Sequence, residues 1–263
     1  MKIVMLGTGN AKAIECYNTC FAIDDHGRYL LVDGGGGNGL FKQLKNADID
    51  YDKIDDIFVT HKHLDHLTGV MWLIRMFCQN MKSDSTKRIY GHHEVINILK
   101  TMACMLLNEK EVQHIGKGLK FIEVEDGECL KIIGHDFTFF DIRSSKAKQF
   151  GFMLRLENDE KLVCLGDEPY QPHLKSYADN AKYLLHEAFC LYSEKELFDP
   201  YGKHHSTVRD ACLLANELNV KNLILYHTED KNIKRRKELY SMEGQQYFSG
   251  NLLIPDDLEI IEI

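Results

Sequence analysis

Apolar residues fall in short runs through the first third of the chain. Lys2–Leu6, Thr19–Ile23 and Tyr29–Val32 read as strands, punctuated by Gly7, Gly9, Gly27 and Gly34–Gly37. Asn38–Lys45 has the composition of a helix, and the Ile, Phe and Val content of Ile54–Thr60 predicts a buried strand. Helical spacing returns over Val70–Cys78. Lys87–Tyr90 reads as a strand, and Glu94–Leu107 as a long helix, with apolar residues at 95, 96, 98, 99, 102, 105 and 106. The middle is β-rich: Leu119–Val124, Cys129–Ile133, Phe137–Ile142, Phe150–Leu156 and Lys161–Leu165. Turns such as Gly134-His135-Asp136 and Asn158-Asp159 look like hairpin connections between these runs. Tyr183–Leu185 as a strand, Val208–Leu218 as a helix and Asn222–Tyr226 as a strand complete the pattern. Hairpins mixed with βα units predict α/β layers around a mixed sheet. No linker or repeat interrupts the chain, so one domain over residues 1–263 is expected.

Composition narrows this reading. A chain of 263 residues with 13 Phe, 12 Tyr and only four Pro can bury a full core and lacks the signature of disorder. No uncharged apolar run approaches a membrane span, so no membrane partner is expected. Met1–Asn10 is too short for a signal peptide and reads as the first strand. The eight cysteines are scattered without a CxxC pair, which suits reduced thiols in a cytoplasmic protein. A net charge of −8 argues against wrapping nucleic acid by bulk electrostatics. Thirteen histidines stand out, and their positions carry the chemistry.

His61-Lys62-His63-Leu64-Asp65-His66 directly follows the Ile54–Thr60 strand. Residues at i and i+2 of extended chain point to one side, so His61 and His63 can reach one metal. Asp65 and His66 can turn toward a second. Imidazoles with a carboxylate suit Zn, Mn or Fe(II), and the absence of Cys argues against a purely structural Zn site. Two further candidates follow apolar strands: Asp167 in Gly166-Asp167-Glu168, and His227 after Asn222–Tyr226. Taken alone, Asp167 is a turn residue and His227 an ordinary strand-end histidine. Together with the histidine cluster they predict ligands converging on one rim of a sheet, where open α/β sheets place their sites.

A second pair looks catalytic. His186-Glu187-Ala188-Phe189 follows Tyr183–Leu185, and His204-His205-Ser206-Thr207 opens the Val208–Leu218 helix. Thr207 with Asp210 reads as an N-cap with an acidic third residue, which accounts for Ser206 and Thr207 but not for His205. A His oriented by a Glu is a familiar general acid.

These segments resemble the metallo-β-lactamase superfamily. Leu6-Gly7-Thr8-Gly9, Leu31-Val32-Asp33-Gly34, the HxHxDH segment, Gly166-Asp167, His186-Glu187-Ala188, His205-Ser206-Thr207 and Leu223-Ile224-Leu225-Tyr226-His227 occur in its order. The HEA and HST segments resemble its ribonuclease Z branch. The resemblance implies a four-layer αβ/βα sandwich with a dinuclear centre, two Zn ions with Mn or Fe as alternatives. It implies that His61 and His63 bind one metal, that Asp65, His66 and His227 serve the other, and that Asp167 bridges. Asp65 would also orient the attacking hydroxide, and His205, held by Glu187, would protonate the leaving oxygen. Relatives resembling this chain are commonly homodimers.

The chain departs from that pattern in three places. The family supplies another His near the position of Ser145, where this chain reads Asp141-Ile142-Arg143-Ser144-Ser145-Lys146. His135, in a predicted turn, and His92 or His93 are the substitutes to consider. A tRNA-gripping arm is missing, since only about fifteen residues separate Gly151 from Asp167. The usual sequence after the last His is replaced by His227-Thr228-Glu229-Asp230.

The expected function is therefore a metal-dependent hydrolase, a phosphodiesterase of ribonuclease Z type that uses a metal-bound hydroxide. Its expected substrate is a small phosphodiester or short nucleic acid, with precursor tRNA disfavoured. Ser145 and Lys146 are candidate substrate contacts, Lys146 acting as a point charge together with Lys148 and Arg143. The alternatives are a lactone, thioester or other carboxyl-ester hydrolase of the same fold, and a metal-binding regulatory protein with a degraded site. Lys234–Lys237 reads as a solvated helix face. Gly34–Gly37 lacks the Lys of a P-loop and reads as a flexible turn near the site.

Overall fold

The computed structural model describes residues 1–82 and 85–263. In chain order the strands are β1 (Lys2–Gly7), β2 (Cys20–Asp25), β3 (Arg28–Val32), β4 (Ile54–Phe58), β5 (Lys87–Gly91), β6 (Leu119–Glu123) and β7 (Cys129–Ile132). They continue with β8 (His135–Asp141), β9 (Phe150–Arg155), β10 (Lys161–Cys164), β11 (Tyr183–Glu187), β12 (Asn222–Tyr226), β13 (Asn251–Leu253) and β14 (Ile260–Glu262). The helices are α1 (Gly39–Asn46), α2 (Leu64–Asn80), α3 (His93–Leu106), α4 (Glu109–Val112), α5 (Lys175–Ala178), α6 (Lys195–Phe198), α7 (Val208–Glu217) and α8 (Arg236–Gly244). They form two compact units, one of residues 1–7, 17–125 and 257–263, the other of residues 8–16 and 126–256.

The first unit holds a sheet of order β14-β1-β2-β3-β4-β5-β6. β1, β2 and β3 pair antiparallel, whereas β3 to β6 are parallel. Leu40 and Leu44 of α1, Val70 and Ile74 of α2 and Val95 and Leu99 of α3 bury their apolar faces with Leu31, Ile57 and Ile89. The second unit repeats this plan with order β13-β12-β11-β10-β9-β8-β7. β7 to β10 form an antiparallel meander, and β10 to β13 run parallel. Val208, Ala211 and Ala215 of α7 and Tyr240 of α8 pack with Val163, Leu184 and Leu223. No helix among the described residues is long and apolar enough to cross a membrane.

Several expectations change. The described residues form two mixed sheets, as the resemblance implied and not the single sheet that the pattern of hairpins and βα units suggested, and β4 lies in a different sheet from β10 and β12. The three candidate strand ends therefore belong to two rims. The helix predicted from Val70 starts at Leu64, because Leu67 extends the buried stripe of Val70, Met71 and Ile74 back through the polar motif. Asp65 and His66 are thus in the first turn of α2. β11 runs on through His186 and Glu187, since β12 pairs with it as far as Glu187 opposite Tyr226. His135 is the first residue of β8; the turn before it is Ile133-Gly134, both with positive φ.

Candidate active site

In the first unit the sheet's parallel half aims its strand ends at the histidine cluster. Asp33 follows β3, and Thr60-His61 follows β4, whose Phe58 is in register with Val32. The Asp33 carboxylate, 3% exposed, accepts the Thr60 amide (2.8 Å), the Thr60 hydroxyl (2.7 Å) and His66 Nδ1–H (2.7 Å). Because the Thr60 hydroxyl gives its proton to Asp33, its oxygen accepts from His61 Nδ1, 2.9 Å away. We assign both His61 and His66 as Nδ1–H tautomers on this accounting. Their Nε2 lone pairs are then directed away from Asp33: His61 Nε2 to His63 Nδ1 at 2.8 Å, and His66 Nε2 to Asp65 Oδ2 at 3.3 Å. A metal-binding histidine is held in this way, its other ring nitrogen donating to a carboxylate or its relay.

Glycine lets the first turn of α2 approach this loop. A Cβ on Gly69 would lie 1.8 Å from the Gly34 carbonyl oxygen, and one on Gly34 would lie 2.5 Å from Val70 N. Two backbone bonds close the contact, Gly34 N–H to His66 O (2.7 Å) and Gly69 N–H to Gly35 O (3.0 Å). Gly34 and Gly35 are thus a packed seat for α2, not a flexible turn.

In the second unit Asp167, Glu187 and His227 stand at the C-terminal ends of β10, β11 and β12, three consecutive parallel strands. Asp167 is buried, its Oδ1 accepting the Gln149 amide and its Oδ2 lying 3.5 Å from His227 Nε2. Glu187 is fully buried. One oxygen accepts Ser206 N–H and the other lies 3.4 Å from His205 Nδ1. Burial pushes the Glu187 carboxyl up, but the His205 contact, the charge of His186 and the Ser206 amide outweigh it and hold the group below the ordinary carboxylate value. The HST segment is zipped to the HEA segment by Phe189 N–H to Ser206 O (2.9 Å) and Val208 N–H to Cys190 O (3.0 Å). Thr207 and Asp210 form the expected capping box. The Phe189 ring stacks on His205 at 5.0 Å and 6°, and ligand atoms of Glu187, His205 and His227 lie within 4.8 Å of one another.

The loop where a His was missing has other duties. Ser144 Oγ donates to Glu168 (2.6 Å), Ser145 Oγ meets His204 Nδ1 (3.2 Å), and Lys146 Nζ is 3.5 Å from His205 Nε2 and 3.8 Å from Glu168. The altered sequence after His227, itself in left-handed backbone at φ 57°, is also structural. The fully buried Arg236 donates to Thr228 Oγ1 (2.8 Å) and Thr8 Oγ1 (3.0 Å). Glu229 accepts the Lys231 amide, and Asp230 accepts the amides of Ile14 (2.5 Å) and Glu15 (2.9 Å). Arg236 therefore breaks the expectation of a solvated basic face over Lys234–Lys237.

The donor set fits a divalent cation. Around a tetrahedral ion with bonds of roughly 2.0–2.1 Å, ligand atoms stand about 3.4 Å apart. The pairs Asp167–His227 and Asp65–His66 have this spacing, at 3.5 and 3.3 Å.

A family model described as anti-Pycsar protein Apyc1 matches residues 1–248. The chain belongs to the Apyc1 family. The chain is also similar to the ribonuclease Z of Thermococcus sibiricus, at 26% identity over all of this chain and 96% of that protein. It shares its fold with the metallo-β-lactamase fold protein YhfI of Bacillus subtilis, with TM-score 0.80, 19% identity and coverage of 100% and 99%. It likewise matches the short form of human tRNase Z, with TM-score 0.76, 20% identity and coverage of 100% and 99%. This Apyc1-family chain has the metallo-β-lactamase fold and is a metal-dependent hydrolase of ribonuclease Z type.

Within the units, the predicted residues fall into two convergent sets. His61, His63, Asp65 and His66 gather in the first, and Asp167, Glu187, His205 and His227 in the second. Lys146 reaches His205, whereas Ser145 is directed to His204. Sequence reasoning gave no role to Asp33, Thr60, Gln149 and Arg236. Asp33 had a signal, its place in Val32-Asp33-Gly34 at a strand end; Gln149 had none.

Proposed function

We propose that this chain is a phosphodiesterase acting on small phosphodiesters or short nucleic acids. The observation that carries this reading is His205, oriented by Glu187 at 3.4 Å on one ring nitrogen and met by Lys146 at 3.5 Å on the other. An acid and a cation at one point suit a leaving oxygen and the phosphate that bears it. We propose His61, His63, Asp65, His66, Asp167 and His227 as ligands of two divalent ions, Zn with Mn or Fe as alternatives. Such ions, when bound, lower the pKa of water and supply the nucleophile. Asp65 then serves both as ligand and to orient the attacking group. Glu187 fixes the plane of His205, which delivers the proton to the leaving group. Lys146 anchors a phosphate oxygen, and Ser145 lines the same loop.

Two observations support a small substrate. β9 and β10 are joined by one turn at Glu157–Asp159, so no arm is inserted between them. The net charge of −8 opposes a large polyanion. No disulfide links the eight cysteines among the described residues, in keeping with a cytoplasmic protein. The resemblance also carries a homodimer, which sedimentation tests as twice the mass of one chain.

The deciding experiment is a paired assay on an aryl phosphodiester and an aryl lactone. We expect turnover of the phosphodiester, abolished in Asp167→Ala together with metal binding. In His205→Ala we expect turnover to fall by roughly 10²–10⁴ with metal content kept. Turnover of the lactone alone would replace this reading with carboxyl-ester hydrolysis. Metal-replete protein inert on both substrates would favour a regulatory role.

A further inference from the structure

The segment between β8 and β9 is where the family resemblance places an additional imidazole, six residues before Gly151. In this chain that residue is Ser145, whose hydroxyl is directed to His204 (3.2 Å). The side chain from this segment that reaches Asp167 comes four residues later. Gln149 is 1% exposed, and its Nε2 donates to Asp167 Oδ1. Its backbone is pinned by Ile142 N–H to Gln149 O (3.0 Å), one step beyond the Asp141–Phe150 pair of β8 and β9.

The chain also makes room for this amide. Gly166 has φ 77°, and a Cβ there would lie 3.0 Å from Gln149 Cδ and 3.1 Å from its Nε2. The Gly166 carbonyl is fixed from the other direction by the Tyr226 hydroxyl at 2.6 Å. The glycine before Asp167 therefore meets two demands, a left-handed backbone and an unobstructed seat for Gln149.

We infer that Gln149 is a positioning residue for Asp167: its amide commits Oδ1, so that Oδ2 is the oxygen Asp167 presents beside His227 Nε2. This rests on the proposed role of Asp167 as a metal ligand. A neutral amide suits the task. It stabilises the charged carboxylate without adding a charge that would oppose a cation. The second oxygen of a ligating carboxylate is ordinarily held by such a partner, and losing it typically weakens metal binding by 10–100-fold.

The test is Zn binding by metal-free protein against a competing chelator, for wild type, Gln149→Leu, Gln149→His and Asp167→Asn, with folding checked by circular dichroism in chelator. We expect Gln149→Leu to bind Zn about 10–100-fold more weakly. Gln149→His, whose ring N–H reaches about as far as the amide, should recover most of that loss. Wild-type affinity in folded Gln149→Leu, or equal weakening in Leu and His variants, would overturn the inference. If the Leu variant does not fold, Gln149→Asn, one methylene shorter, gives the same reading by the same outcomes. Asp167→Asn separates the two levels. If it abolishes a bound Zn while Gln149→Leu does not matter, the inference alone falls. If it leaves Zn binding unchanged, the ligand role beneath it falls too.

Discussion

His66 Nδ1 lies 2.7 Å from Asp33 Oδ2, the same carboxylate oxygen that takes the Thr60 hydroxyl. One buried carboxylate therefore sets the tautomer of two histidines, His66 directly and His61 through Thr60. Asp33→Asn puts an amide donor opposite at least one of the three protons that the carboxylate accepts. We expect about 10–100-fold weaker Zn binding in a chelator competition, and a stability loss of about 1–3 kcal/mol from the broken buried hydrogen bonds. Unchanged affinity would remove Asp33 from metal positioning.

Phe189 lies flat on His205, 5.0 Å between centroids and 6° between planes. Such pairs are worth about 0.5–1.5 kcal/mol beyond burial, which is up to about tenfold in rate if the contact holds the reactive orientation. Phe189→Leu should lower kcat of the proposed phosphodiesterase by several-fold up to about tenfold, with metal content unchanged by elemental analysis. Equal losses of metal and rate would point instead to a collapsed strand end.

Thiol reactivity should sort by burial. Cys104 and Cys129 are exposed, while burial pushes Cys78 up to about 11 and Cys190 and Cys212 up to about 12. Thiolate is the reactive form. A thiol titration of the native protein at pH 8 should show two fast groups, with the half-buried Cys16 slower and the rest released only on unfolding. Rapid labelling of Cys190 or Cys212 would mean that the second unit opens locally.

Asp230 straps the Ile14–Glu15 segment. Burial acts to raise its carboxyl, but the amides of Glu15 and Ile14 outweigh it, and the group sits below its ordinary value of 3.8. A carboxyl lowered in the folded state stabilises it fully above the ordinary value and loses that contribution as pH falls through the lowered one. The protection of the Ile14 and Glu15 amides, relative to unstructured amides at the same pH, should therefore hold at neutral pH and fall only below about pH 4. Asp230→Ala should lack that protection at every pH. Protection that is already lost at pH 6 would contradict this.

His61 and His63 were legible as candidate ligands because the spacing of side chains on an extended segment is a property of the covalent chain. His186-Glu187 and His205-Ser206 were legible as candidates for the same reason, and the Thr207–Asp210 cap was too. The start of α2 was less so, because the polar motif hides the stripe that begins at Leu67. The reading of one sheet rim failed because nothing local distinguishes the sheet that β4 joins from the one that holds β10 and β12.

The sequence by itself determined the candidate ligand types, their order and the class of chemistry, since imidazoles and carboxylates keep their donor properties wherever they fold. The tertiary structure decided which partners orient them. Asp33 meets Thr60 because β3 and β4 pair in parallel register, and Gln149 meets Asp167 because β9 and β10 pair antiparallel beside a glycine. Arg236 reaches Thr8 across 228 positions of sequence. Such contacts follow from strand order and register, which are set by burial over the whole of a sheet, and no local spacing encodes them.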